Sequence, residues 1–202
     1  GEYRPEHFLL KAENPLAIGP YDLGCHYMEH KVQQAEAMKG AKKRILEVAA
    51  QFAALTGREY GLFEAYRMED AEIALVLIGS SAGTAKVTVD ALRARGIPAG
   101  LVKIRVFRPF PAEELAQTLK NVKALAILDK AESFSAQGGP LFAEVRAALY
   151  DLEPRPRTVG YVYGLGGRDI TPAHFASVFA RLEAIAAGGE LGPVYSHLGQ
   201  RG

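Results

Sequence analysis

The chain has 202 residues, 49% hydrophobic and 23% charged, and its 24 Lys+Arg against 23 Asp+Glu leave a net charge of +1, which argues against a nucleic-acid or anionic-membrane partner. Its longest apolar run, Ile73–Ile78, falls far short of the roughly 20 residues a membrane helix needs, and no N-terminal segment reads as a secretion signal, so a cytoplasmic location is expected. Cys25 is the only cysteine, which excludes an internal disulfide and any self-contained Cys₄ zinc or iron–sulfur site.

Residues 1–24 carry three prolines and no sustained periodicity, and are expected to form an extended arm or linker. From about His26 to Thr56 there is no Pro, and Gly40 is the only Gly. Met38, Ala41, Ile45, Val48, Phe52 and Leu55 recur at spacings of three and four, which predicts a helix with one narrow apolar seam, stopped at Gly57. A seam this narrow predicts packing on another body, or else against the chain's own domain. Residues 25–66 are therefore assigned to a connecting helix.

Residues 67–187 alternate strand and helix four times. "EIALVLIGS" is a near-continuous apolar run ending in Gly, as suits a strand buried on both faces. "AGTAKVTVDALRARG" reads as an amphipathic helix with Val87 and Leu92 inward, Ala91 as a third inward position, and Gly96 as the stop. The strand "AGLVKIRVF" and the short helix of "RPFPAEELAQTLK" follow. Next come the strand "KALAILDK", the helix "GGPLFAEVRAALY" and the strand "RTVGYVYG". "TPAHFASVFARLEAIAA" is the final helix, with Thr171 as its N-cap and Pro172 in its first position. Residues 188–202 are read as a tail. The alternation predicts a three-layer α/β/α sandwich on a mostly parallel sheet, an architecture that does not select a function.

Three loops fall where open α/β sheets bind ligands. Gly79–Thr84, "GSSAGT", ends a strand and opens a helix. Its weak anion-site candidates are Gly79, Ser80, Ser81, Gly83 and Thr84, although helix capping by Ser80 or Ser81 explains the serines equally well. It matches neither GxGxxG nor a P-loop. Asp129–Pro140, "DKAESFSAQGGP", is long for a strand-to-helix connection; its Asp, Lys and Glu make either an acid/base cluster or a solvated loop. Tyr163–Pro172, "YGLGGRDITP", lacks the third glycine of a dinucleotide fingerprint. Arg168, its one cation, is another weak anion-site candidate, with a carboxylate or a neighbouring carbonyl as the favoured partner. At least one of Gly164, Gly166 and Gly167 is expected at positive φ. His26 and His30 share a helical face, but Tyr27 stands where an HExxH motif needs Glu. No catalytic residue and no metal site are expected.

As an ordered set, "EHKVQQAEAMKGAKKRI", "GSSAGTAK", "LVKIRVFRPFP", "ILDKAESFSAQGGPLF" and "YGLGGRDITP" resemble the C-terminal part of the alpha chain of pyruvate (2-oxoacid):ferredoxin oxidoreductases. The resemblance runs from about Asn14 to the tail. It implies a transketolase C-terminal-like domain whose mixed sheet carries one antiparallel strand, joined by a long helix to the domain before it. It also implies an enzyme of anaerobic metabolism that decarboxylates a 2-oxoacid on thiamine diphosphate and Mg, passes electrons through iron–sulfur clusters to ferredoxin, and forms an acyl-CoA from CoA. The partners it implies are the preceding thiamine-enzyme domain of the same chain, the beta, gamma and delta subunits or regions, and ferredoxin. With one Cys and no GDG…N thiamine/magnesium motif, neither cofactor site is complete here, and this chain alone is expected to be inactive. The expected function is a non-catalytic, structural and assembly domain of the pyruvate enzyme. The alternatives are a domain of a branched-chain 2-oxoacid:ferredoxin oxidoreductase, or an autonomous α/β module binding a small anion or CoA.

Overall fold

A computed structural model describes residues 12–13 and 21–201. Most of the arm expected over 1–24 lies outside the described residues. The chain divides into two compact units, residues 1–41 and 42–202. Helix α1, Tyr27–Thr56, runs through both. In the first unit its start is set by a turn in which His26 and Tyr27 donate their N–H groups to the Leu23 carbonyl. His30 Nδ1 lies 2.8 Å from Asp22 Oδ2, so this histidine is tied to a local carboxylate.

In the second unit α1 ends at Gly57, whose φ of +69° suits the residue that lacks a Cβ. None of α1 is buried. Of the predicted seam, Ile45 is half-buried, whereas Val48 and Leu55 are 61% and 85% exposed and Phe52 is also exposed. The only ion pair from this half of the helix to a later element is Lys42 to Glu114, among the described residues.

The sheet has six strands: β1 (Phe63–Tyr66), β2 (Ile73–Ile78), β3 (Ala99–Ile104), β4 (Ala124–Asp129), β5 (Arg157–Tyr163) and β6 (Tyr195–Leu198). Between them run helices α2 (Ser81–Arg93), α3 (Ala112–Leu119), α4 (Pro140–Ala148) and α5 (Pro172–Ala186). The spatial order is β1-β3-β2-β4-β5-β6, parallel throughout except for β1, which runs antiparallel to β3. Strand alternation sorts the core into two layers. Leu75 and Leu77 with Leu128 and Tyr161 meet α2 and α5, while Val76, Val102 and Ile127 meet α3 and α4. Both faces of β2 and β4 are therefore covered, and each Leu, Val or Ile so buried contributes about 1.5–3 kcal/mol. Sequence and structure agree on the three-layer α/β/α class.

Three readings are corrected. The connecting segment assigned to 25–66 contains β1, so the sheet begins before residue 67. The tail assigned to 188–202 contains β6, the other edge strand. In α2, Val87 and Ala91 face solvent; Ala82, Ala85, Val89 and Leu92 are the inward set, because the helix lies on the sheet along its small residues.

Candidate functional site at the carboxyl ends of the strands

From β2 the chain crosses to β3 on one side, and from β4 it crosses to β5 on the other. The carboxyl ends of β2 and β4 thus flank a topological switch point, where open sheets form a crevice. A cleft of about 380 Å³ lies there, lined by Ile78, Gly79, Phe107, Lys130 and Leu141 among others.

Gly79 turns the chain from β2 into α2 with φ of +92°. Ser80 takes the N-cap position, but in helical conformation and with no side-chain cap bond. The expected serine cap is absent there, because a residue with helical φ/ψ does not point its hydroxyl back at the N2 or N3 amide. Ser81 is buried at the first turn, and Gly83 and Thr84 follow within the helix.

The long loop after β4 separates its three charged residues. Asp129, 6% exposed, accepts the N–H groups of Leu141 at 2.8 Å and Phe142 at 3.0 Å. It thereby caps α4 from a neighbouring strand. Burial pushes its carboxyl above the usual range, and the two N–H bonds pull back the other way. Lys130 swings towards β5, its Nζ 5.4 Å from the centre of the Tyr163 ring. Glu132 turns to the sheet edge, where Tyr195 donates its hydroxyl to Oε2 at 2.5 Å and His197 Nε2 lies 3.0 Å from the same oxygen. The Tyr195 bond holds the Glu132 carboxyl below its usual range, and burial followed by that carboxylate pushes the Tyr195 phenol up. The loop is a set of anchors and holds no acid/base cluster. At its tip Phe134 is 92% exposed with φ of +49°.

In the third loop Gly164, Gly166 and Gly167 all have positive φ, around a single 3₁₀ turn at Leu165–Gly167. Thr171 precedes Pro172 at the start of α5, and its N–H donates to His174 Nδ1 at 3.1 Å, with His in the place a capping box gives to Glu or Gln. Arg168 donates to the Gly199 carbonyl at 2.8 Å. It lines a cleft with His197 and Gly199, separate from the one at Gly79, so the structure does not bring Arg168 together with the Gly79–Thr84 candidates.

Sequence reasoning missed Tyr163. Its ring is buried on the α2 and α5 side, and its hydroxyl has no hydrogen-bond partner among the described residues. Burial pushes this phenol up; the adjacent Ser81 hydroxyl offsets part of the effect without meeting hydrogen-bond geometry, and the Asp129 charge adds to it. A buried tyrosine in an alternating strand carries no local sign of a missing partner.

Among the described residues no helix is long and apolar enough to cross a membrane. Nor does any group of three His, Cys, Asp or Glu among them have the arrangement to hold a metal ion.

Comparison with known proteins identifies the family. The chain is 48% identical over 179 residues to the pyruvate synthase subunit PorA of Thermotoga maritima, a match covering 89% of this chain and 45% of that protein. It is 42% identical over 182 residues to the PorA of Methanothermobacter thermautotrophicus, covering 90% and 46%. It is 38% identical over 189 residues to the ketoisovalerate oxidoreductase subunit VorA of Pyrococcus horikoshii, covering 93% and 48%. The chain thus spans about half the length of the curated relatives it matches. The model of the pyruvate:ferredoxin oxidoreductase core domain II matches residues 71–175, β2 through the start of α5. That stretch is just over half of the chain, and the chain belongs to the pyruvate:ferredoxin oxidoreductase core domain II family.

Proposed function

We propose that the chain is a supporting, non-catalytic domain of the alpha chain of a cytoplasmic pyruvate:ferredoxin oxidoreductase, which converts pyruvate to acetyl-CoA and delivers the electrons to ferredoxin. The observation that carries this reading is the 48% identity to a pyruvate synthase subunit over 89% of the chain. Pyruvate is favoured over a branched-chain substrate because two pyruvate synthase subunits, at 48% and 42%, exceed the ketoisovalerate subunit at 38%.

The cofactors of such an enzyme, thiamine diphosphate with Mg and iron–sulfur clusters, do not fit the donors of this chain. One cysteine cannot supply the thiolates of a cluster, and the clustered acids are spent on backbone and hydroxyl donors. Those groups belong on the preceding domain and the other subunits. What this chain offers them is surface: the exposed Val48, Phe52 and Leu55 side of α1, and the loop that presents Phe134. Large exposed apolar side chains in register on one helix are the pattern of a packing face.

The reading is tested by placing Val48→Asp with Leu55→Asp in the full alpha chain, co-expressed with the other subunits. The expected result is loss of the assembled complex on size exclusion, with the circular dichroism of the isolated chain retained. Normal assembly would remove the interaction role from this face.

A further inference from the structure

The outer face of α4 carries guanidinium groups whose charge the chain leaves largely open. Two clefts, of about 260 and 730 Å³, meet along this face and share Arg146 and Tyr150 as walls. The larger has an apolar floor of Phe142, Ala143 and Ala147; the smaller is bounded by Arg155 and Arg157. Arg146 lies over the Phe142 ring, 5.3 Å from its centre, and donates through Nη1 to the neutral Gln137 side chain. Arg155 lies over the Tyr150 ring at 5.5 Å, and that tyrosine is 70% exposed. Arg157 donates through Nη1 to the carbonyls of Ile185 and Gly189, at the end of α5. A guanidinium carries five N–H donors, so Arg146 and Arg157 each keep Nε and Nη2 without a partner among the described residues. Neither meets a carboxylate within ion-pair distance among those residues. Of the acids nearby, Glu144 is held by Arg108 and Glu153 by Arg155 at 3.0 Å, which leaves Asp151 on the groove wall.

Capping of helix ends accounts for one nitrogen each of Arg155 and Arg157, and for none of Arg146. The three heads follow one another along the groove. Arg146 sits on Phe142 in the larger cleft, Arg155 on Tyr150 where the two clefts meet, and Arg157 in the smaller one. Charges strung along a groove with an apolar floor suit an extended segment with several carboxylates better than one small anion. We propose that this groove binds an acidic peptide segment of a partner subunit, with its carboxylates on Arg146, Arg155 and Arg157 and an apolar side chain against Phe142 and Ala147. Charge complementarity selects this occupant: the planar guanidinium fork matches a carboxylate with two parallel bonds, and a guanidinium is only weakly hydrated. Arg146 and Arg155 already rest on aromatic rings, so fixing them on binding costs little. The proposal rests on the reading of this chain as an assembly domain, and adds to the apolar side of α1 a face that recognises charge.

The test places the photo-cross-linker p-benzoylphenylalanine at Ala147 of the full alpha chain, assembled with its partner subunits. The complex is isolated by size exclusion and irradiated, and the cross-linked peptides are mapped by mass spectrometry. The expected cross-link joins a partner subunit at a segment in which Asp and Glu outnumber Lys and Arg. Arg146→Glu with Arg155→Glu is expected to lower its yield roughly tenfold, as loss of charge-assisted bonds would, or to release that partner. Arg146→Lys with Arg155→Lys keeps the charge and is expected to retain most of the yield. No cross-link from the intact complex, or one to the alpha chain itself or to a segment without that acidic excess, overturns this proposal and leaves the assembly reading standing. So does an unchanged yield after charge reversal. An alpha chain that joins no complex overturns both.

Discussion

Asp129 and Leu141 are joined by a hydrogen bond of 2.8 Å that ties the carboxyl end of β4 to the first turn of α4. The same carboxylate takes the Phe142 amide, so one buried acid replaces the cap that Gly139 cannot supply. Gly139 is small for the same reason: a Cβ there would run into the Asp129 side chain.

Asp129→Ala is accordingly expected to lower stability by about 2–3 kcal/mol, since it leaves two buried amides without an acceptor. Asp129→Asn keeps one acceptor oxygen and should lose about half as much. Urea denaturation of the three proteins measures both differences; equal stability of wild type and Asp129→Ala would contradict the capping role.

Gly160 of β5 makes room for the Phe142 ring on the α4 side of the sheet. A methyl group at Gly160 would stand 2.8 Å from the ring carbon Cδ2, and Phe142 is itself buried. Gly160→Ala is expected to cost about 1–3 kcal/mol by overpacking, and Gly160→Ala with Phe142→Leu to recover part of it. Thermal unfolding of the single and double variants decides this.

Gly166 separates backbone strain from crowding. Its φ is +63°, yet nothing lies within 4 Å of where a Cβ would project. Gly166→Ala should therefore cost about 1 kcal/mol through conformation alone, with Gly166→Asn costing less because Asn tolerates the left-handed region. Gly164→Ala should cost more, since the new methyl also meets the Lys130 side chain.

The elements legible in the sequence are those whose partners lie on both faces. β2 and β4 announce themselves as continuous apolar runs because sheet burial leaves no polar side to write. β1, "FEAY", and β6, "YSHL", are four-residue edge strands with one covered side, and their pairing partners are distant in the chain, so neither leaves a periodic trace. The candidate site follows the same division. The Gly79–Thr84 loop was visible as a strand-to-helix turn. Tyr163 and the Glu132–Tyr195–His197 contacts were not, because the bonds from Glu132 span 63 and 65 residues.

Glu64 supplies one testable pH dependence. It bonds to Lys86 and lies 2.9 Å from Arg105 Nη2, at an edge where its side chain is 25% exposed. The Lys86 hydrogen bond holds its carboxyl below the usual range, partial burial pushes back, and the Lys86 and Arg105 charges add to the lowering. A depressed folded-state value means that this contribution is complete above the unfolded carboxyl value, about 4.3, and is lost as pH falls through the folded one. Glu64→Gln should narrow the stability difference between pH 7 and pH 3, by at most about 1 kcal/mol for pairs this accessible. An unchanged difference would mean that the pairs do not contribute.

The most direct measurement is viologen reduction with pyruvate, CoA and thiamine diphosphate, by this chain alone and by the enzyme assembled from the full alpha chain and its partner subunits. A supporting domain predicts no turnover by the chain alone, pyruvate-dependent turnover by the assembly, and loss of that turnover when residues 71–202 are removed from the alpha chain. Turnover by the purified chain alone, or full activity of the assembly without those residues, would contradict it.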